Sequence, residues 1–267
     1  MNEVHTAVFD AAAAADVSNV TSQVAEATEP TTSTLAAWPW VLLAQQQGMT
    51  MSEICEATVL TEGELRDPGR YLTQLQANRL AELGFRMLGP VAALRAAQSI
   101  DRGHFALAEL VMRSAPTVRD GADRACEVFP LIHRYTSLTH LTCSDRSFLH
   151  LNIASGLDVH LGYVELTFAV TLQGVQRETG RDDVRFASTW FTHSGPSDTS
   201  EHERFFGPVR FGMPETRFEM SNALLELPLL RASESAHCRA REVANEALHD
   251  QDADSSVRRD DGGTRTQ

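Results

Sequence analysis

ERFFGPVRFGMPETRFEM, Glu203 to Met220, sets two adjacent phenylalanines before a Gly-Pro break, then two short runs parted by a second glycine and a second proline. Gly207 suits the residue just past a helix end and Pro208 cannot continue a helix, so a helix stops at Phe206. Upstream, Asp198 and Glu201 stand three apart as a capping pair for that short helix, which runs through His202 to Phe206. Downstream, Val209–Phe211 and Phe218–Met220 alternate with the period of a strand, and GMPETR joins them as a hairpin. A helix stop spliced directly onto a hairpin points to an α+β chain.

The same change of period extends outward. Val184–Phe191 is a third strand-like run, with Val184, Phe186 and Trp190 on one side. Before it, Asp158 caps a long helix to about Glu178, in which Leu161, Val164, Phe168, Leu172 and Val175 recur at helical steps and which Gly180 ends. Leu138–Cys143 and Phe148–Ile153 form a hairpin through SDRS, with Leu149, Leu151 and Ile153 toward the core and Phe148, His150 and Asn152 on the other face.

The first half is helical: Leu35–Gln47 stopping at Gly48, Met51–Ala57 with Ile54 inward, Tyr71–Leu83 stopping at Gly84, Met87–Ala97, and Phe105–Arg113. After the SAPT break, Thr117 and Asp120 open a second helix that Pro130 kinks or ends. The expected fold is therefore α+β, a helical N-terminal half packed on a small antiparallel sheet in the order hairpin, helix, strand, short helix, hairpin. Residues 1–34, with TEPTTST at 28–34, are expected to be a disordered arm. The charged stretch from Asp250 is expected to be a disordered tail, which leaves 35–249 as one domain.

Composition removes several chemistries. The 267 residues are 42% hydrophobic, enough for a real core, and carry a formal charge of −13 from 36 acidic and 23 basic side chains. Every basic residue is arginine, which excludes the P-loop, Schiff-base and kinase lysines together. Cys55, Cys126, Cys143 and Cys238 are scattered without a C-x-x-C pair, and are expected to be reduced and mostly buried. His133, His140, His150 and His160 make no H-x-H or H-x-x-x-H pair, and the E-H-E at 201–203 spreads its side chains around a short helix. Ser194-Gly195-Pro196 is not a nucleophile elbow. No run approaches the ~18 apolar residues of a membrane span and no signal segment is apparent, so the expected location is cytoplasmic. Neither catalysis, metal nor cofactor is expected.

Phe105, Phe129, Phe168 and Trp190, with His133, are candidates to line an apolar ligand cavity between sheet and helices, the alternative for each being plain core packing. Arg204 is a candidate partner for a ligand carboxylate, the alternative being an ion pair with Glu201.

Several ordered pieces of this chain resemble the N-terminal effector domain of the arabinose-binding branch of AraC/XylS-type transcription regulators. In Phe186–Leu229 these are a strand ending in a histidine, a short helix, the R-F-F-G of Arg204–Gly207, the V-R-F-G of Val209–Gly212, and the N-A-L of Asn222–Leu224 followed by L-P-L. GHFALAELVMRSAPTVRDGADRA, Gly103 to Ala125, is similar to the family's helix, S-P-T break and second helix, and Pro130 departs from its pattern. The resemblance covers Leu35 to about His249.

It implies a ligand-sensing and dimerisation domain for a small organic effector, pairing as a homodimer or as a mixed dimer with a full-length AraC-type regulator. Such regulators continue into a module with two helix-turn-helix units, whereas 17 residues follow Asp250 here. The expectation is thus a domain standing alone, with no direct DNA binding, acting if at all through protein partners. The alternatives are a truncated regulator remnant without activity and a small-molecule-binding enzyme of unknown chemistry. The apolar faces favour a hydrophobic or amphipathic effector over a sugar.

Overall fold

A computed structural model of the chain describes residues 30–134, 136–143 and 146–262. The expected arm over 1–29 and the last five residues lie outside these. At the arm's end the expectation is corrected. Pro30–Ser33 (β1) pairs antiparallel with Tyr71–Thr73 (β2), and Thr31 to Thr34 are buried. The consecutive β-branched threonines suit a strand, and their hydroxyls find partners: Thr31 bonds Gln74 at 3.1 Å and Thr34 donates to the Asp67 carbonyl at 2.6 Å. Ser33 then caps α1 (Thr34–Gln46).

Thr50 and Thr61 form capping boxes with Glu53 and Glu64 at the starts of α2 (Met51–Thr58) and α3 (Glu62–Arg66). The helix expected from Tyr71 begins instead at Gln74, because Thr73 and Gln76 make a third capping box, and α4 (Gln74–Leu88) runs straight through Gly84. That glycine is a contact point: a Cβ there would lie 2.7 Å from the Trp40 ring. Helices α5 (Ala92–Gln98), α6 (Ala106–Arg113) and α7 (Val118–Val128) follow. Thr117 caps α7 through Asp120 as expected, and the helix ends two residues before Pro130, which sits in a 3-10 turn at Phe129–Leu131.

The second half forms a five-stranded sheet from β3 (Thr136–Cys143), β4 (Arg146–Ile153), β5 (Ser188–Trp190), β6 (Val209–Arg210) and β7 (Arg217–Ser221), in the order β3-β4-β7-β5-β6. The β3–β4 hairpin is as expected, and positions 144–145 of its SDRS loop lie outside the described residues.

The final hairpin is not made. β5 lies between its two arms, parallel to β6 and antiparallel to β7, so Thr189 faces both Val209 and Phe218. Backbone bonds from Phe191 to Arg210 and from Met213 back to Phe191 wrap GMPETR around the end of β5. The sheet is therefore mixed, and the strand expected over 184–191 contracts to three residues. Leu149 and Leu151 face the core as expected, whereas Ile153, the last residue of β4, is 37% exposed.

Helix α8 (Leu161–Thr179) packs on the sheet's inner face. Its cap is His160, whose Nδ1 accepts from the Gly162 amide, and not Asp158. Phe168 meets Phe218 edge-on at 4.8 Å, while Phe218 stacks on Phe186 at 3.9 Å. After β5, Thr199 precedes α9 (Ser200–Phe206), and Asp198 accepts from the Ser200 amide; Glu201 instead pairs with Arg95 and Arg204. α10 (Asn222–Leu225) and α11 (Glu234–Gly262) complete the chain. The tail expected from Asp250 is thus helical to Gly262, since neither Gly nor Pro interrupts residues 234–261. Ala240 and Ala244 seat α11 against α6 in a small cluster with Val111, Val128 and Ile132.

Candidate ligand cavity

Helices α6 and α7, the inner face of the sheet and one flank of α8 line a partly open cavity of about 160 Å³. Strand alternation aims Leu138, Leu149, Phe218 and Met220 into it from three neighbouring strands. From α8, Leu166, Val170 and Gly174 enter at successive four-residue steps, so one helix face forms a wall. Gly174 opens that wall: a Cβ added there would meet nothing within 4 Å. Phe105, Met112, Phe129 and Leu229 close the other sides.

Most polar groups on the lining are already engaged. Thr167 and Thr171 donate to the carbonyls of Tyr163 and Thr167. Glu109 accepts from the amides of Gly103 at 2.7 Å and Phe105 at 3.3 Å, holding the start of its own helix. Glu178 pairs with Arg102 at 2.9 Å, and Arg177 reaches the Ile100 carbonyl at 3.4 Å. Two lining side chains have no hydrogen bond or ion pair among the described residues, Arg113 and His133. Burial pushes the His133 imidazole down to about 4, so it is neutral near pH 7.

Of the six residues singled out from sequence, the structure brings Phe105, Phe129 and His133 together on this cavity. Phe168 sits deeper, in the aromatic cluster with Phe191 and Phe218. Trp190 projects from the opposite face of the sheet, because Thr189 and Phe191 take the inward positions of that strand. Its ring lies 3.9 Å from the Arg217 guanidinium, which also covers Phe148 at 4.5 Å. Arg204 is exposed on α9 and pairs with Glu201, the alternative weighed for it. The wall formed by Leu166, Val170 and Gly174, and the free Arg113, were missed. The signals were present: a glycine inside a strongly helical run, and an arginine whose natural partner four residues earlier, Glu109, stands next to a helix start.

Elsewhere Glu165, 2% exposed, lies between His202 at 3.3 Å and His193 at 3.5 Å, tying α8 to α9 and to the segment after β5. Among the described residues no group of three or more His, Cys, Asp or Glu is arranged to hold a metal ion. Cys55 and Cys126 are half-buried and Cys143 and Cys238 exposed, so the expectation of mostly buried thiols is corrected. Desolvation, with Asp123 adding to it, raises the Cys126 thiol to about 11, away from nucleophilic use.

Residues 48–229 match the family described as the arabinose-binding domain of AraC transcription regulators, N-terminal. The chain belongs to this family. The matched span holds both cavity-forming helices, the whole five-stranded sheet and α8, so the cavity is a feature of the regulator domain itself. The fold is similar to the crystal structure of transcriptional regulator CdpR from Pseudomonas aeruginosa, at a TM-score of 0.50 and 16% identity over 71% of this chain and 59% of that one. The chain thus spans less than two thirds of that regulator. No curated protein matches the sequence. Among the described residues no helix is long and apolar enough to cross a membrane.

Proposed function

We propose that the cavity is the effector site of this regulator domain, and that its effector is a small apolar or amphipathic metabolite and not a sugar. The observation that carries this is the lining itself, a partly open and mainly hydrocarbon space in which the threonine hydroxyls are already bonded to backbone. Each sugar hydroxyl buried there without a partner would cost about 1–3 kcal/mol. An apolar cavity of roughly 150 Å³ holds a benzene-sized guest, which sets the ligand's scale. In the same reading the domain acts through protein partners, pairing with a second copy or with a full-length relative. The long strand β3, with which no further strand pairs among the described residues, supports that part, and the solution mass measures it.

A thermal-shift screen of metabolites against the purified chain tests the site. A ligand at 100 times its Kd stabilises by about 2.7 kcal/mol, and apolar compounds are expected to raise the melting temperature while sugars leave it unchanged. Gly174→Leu fills the cavity from α8. It is expected to keep or raise the melting temperature of the unliganded protein, since replacing an interior helical glycine gains up to about 1 kcal/mol, and to abolish the ligand shift. Shifts by sugars alone, or an unchanged ligand shift in Gly174→Leu, would refute the assignment.

A further inference from the structure

Arg113 is half-buried in the last turn of α6, lines the cavity, and makes no hydrogen bond or ion pair among the described residues. Its natural partner on the helix is Glu109, four residues earlier. Both Glu109 oxygens are instead turned to the amides of Gly103 and Phe105. A guanidinium stays charged at any ordinary pH, so a permanent cation stands at the wall of an apolar space without a counter-ion.

The carboxylates on the lining are engaged elsewhere. Arg113, Arg177, Glu109 and Glu178 line the cavity, and Arg102 bonds Glu178. The lining carries two arginines and two carboxylates, but both Glu109 oxygens are held by amides and Glu178 pairs with Arg102, so neither carboxylate pairs with Arg113 among the described residues. Along α8 the lining runs from Leu166 to Glu178, about 18 Å of helix. Arg177 and Glu178 stand at the far end, whereas His133, held neutral by burial, and Leu166 mark an uncharged part of the lining.

We propose that the cavity takes an apolar monocarboxylate, its hydrocarbon body along α8 and its carboxylate on the Arg113 guanidinium. The proposal rests on the cavity being the effector site and specifies the ligand's chemistry there. One planar guanidinium matches one carboxylate in a bidentate pair. The engaged threonine hydroxyls leave the ligand body apolar.

Phenylacetate and hexanoate are compared with their neutral counterparts phenylacetamide and hexanol by calorimetry and thermal shift at pH 7, on the wild-type chain, Arg113→Gln and Gly174→Leu. In the wild type the acids are expected to bind more tightly than the neutral compounds. Arg113→Gln is expected to weaken the acids by about ten- to a hundredfold while leaving the neutral compounds unchanged. The Arg113 side chain makes no hydrogen bond or ion pair among the described residues, and the unliganded melting temperature reports whether its replacement disturbs folding. Equal affinity for acids and neutral compounds, or an acid preference surviving in Arg113→Gln, would overturn the carboxylate. If neutral compounds bind and are lost in Gly174→Leu, the effector site stands without it; if nothing in the series binds the wild type, both fall.

Discussion

His133 shows what one residue does to this cavity and to its tolerance of acid. Its ring lies 5.3 Å from Phe129 and 5.9 Å from Tyr163, with no hydrogen bond to favour the imidazolium, and burial takes it to about 4. In the unfolded chain the same imidazole takes up its proton near 6.5. Between these values the unfolded state binds more protons, so stability is fully present above about pH 6.5 and falls as the pH drops toward 4. By pH 4.5 the wild type is expected to lose roughly 2–3 kcal/mol through this group alone. His104, His150 and His160 are also lowered by burial, so the contribution of His133 must be read as a difference. Urea denaturation of wild type and His133→Phe at pH 7 and pH 4.5 gives that difference. The variant should lose less stability on acidification, and identical losses would place the His133 proton elsewhere.

Gly84 decides how two helices meet. In an exposed helix, Gly→Ala stabilises by about 1 kcal/mol. Here the new methyl would lie 2.7 and 2.9 Å from ring atoms of Trp40, which is 1% exposed and hemmed in by Phe85 and Tyr163. Gly162 on α8 receives the same ring, at 3.0 Å from its Cβ position. Overpacking of this kind costs about 1–3 kcal/mol, so Gly84→Ala is expected to lower the melting temperature; a rise would show that Trp40 yields freely. The glycine also explains what could be read from sequence and what could not. A glycine after a run of apolar positions looks like a helix end, and only the ring across the interface shows that it is a contact. Periodicity made the β3–β4 hairpin, the long α8 and the stop before Pro130 legible, because each is set by neighbours in the chain. The place of β5 between β6 and β7 was not legible, because that pairing joins segments separated by a helix and two turns. For the same reason three of six site candidates reached the cavity. Aromatic character marked them as buried, but the side of the sheet on which Trp190 falls depends on a strand only three residues long.

At the scale of the whole molecule the sheet has two unequal ends. β6 closes one with two residues, whereas β3 presents eight at the other, and no further strand pairs with β3 among the described residues. Edge strands of that length template pairing with another chain unless a lysine, a proline, a bulge or a covering helix blunts them, and here α7 reaches the strand at His140, which Asp123 meets at 2.6 Å, leaving Leu141–Cys143 toward the tip. Thr136–Cys143 holds neither residue type, and its eight consecutive pairs with β4 run without a shift in register. Leu141, midway toward the tip, is 47% exposed. The domain is therefore expected to form a twofold homodimer by antiparallel pairing of β3 with its copy, joining two five-stranded sheets into one. The same edge would accept a full-length relative with a similar strand. Each chain brings a charge of −13 to such a dimer, so salt that screens the repulsion should strengthen it. Size exclusion with light scattering is expected to give twice the 29.4 kDa chain mass, more completely at 0.5 M than at 0.05 M salt. Leu141→Lys, at an exposed position that leaves the core untouched, should return the monomer. A monomeric wild type at every concentration would end the pairing, and a dimer that persists in Leu141→Lys would place the interface away from this edge.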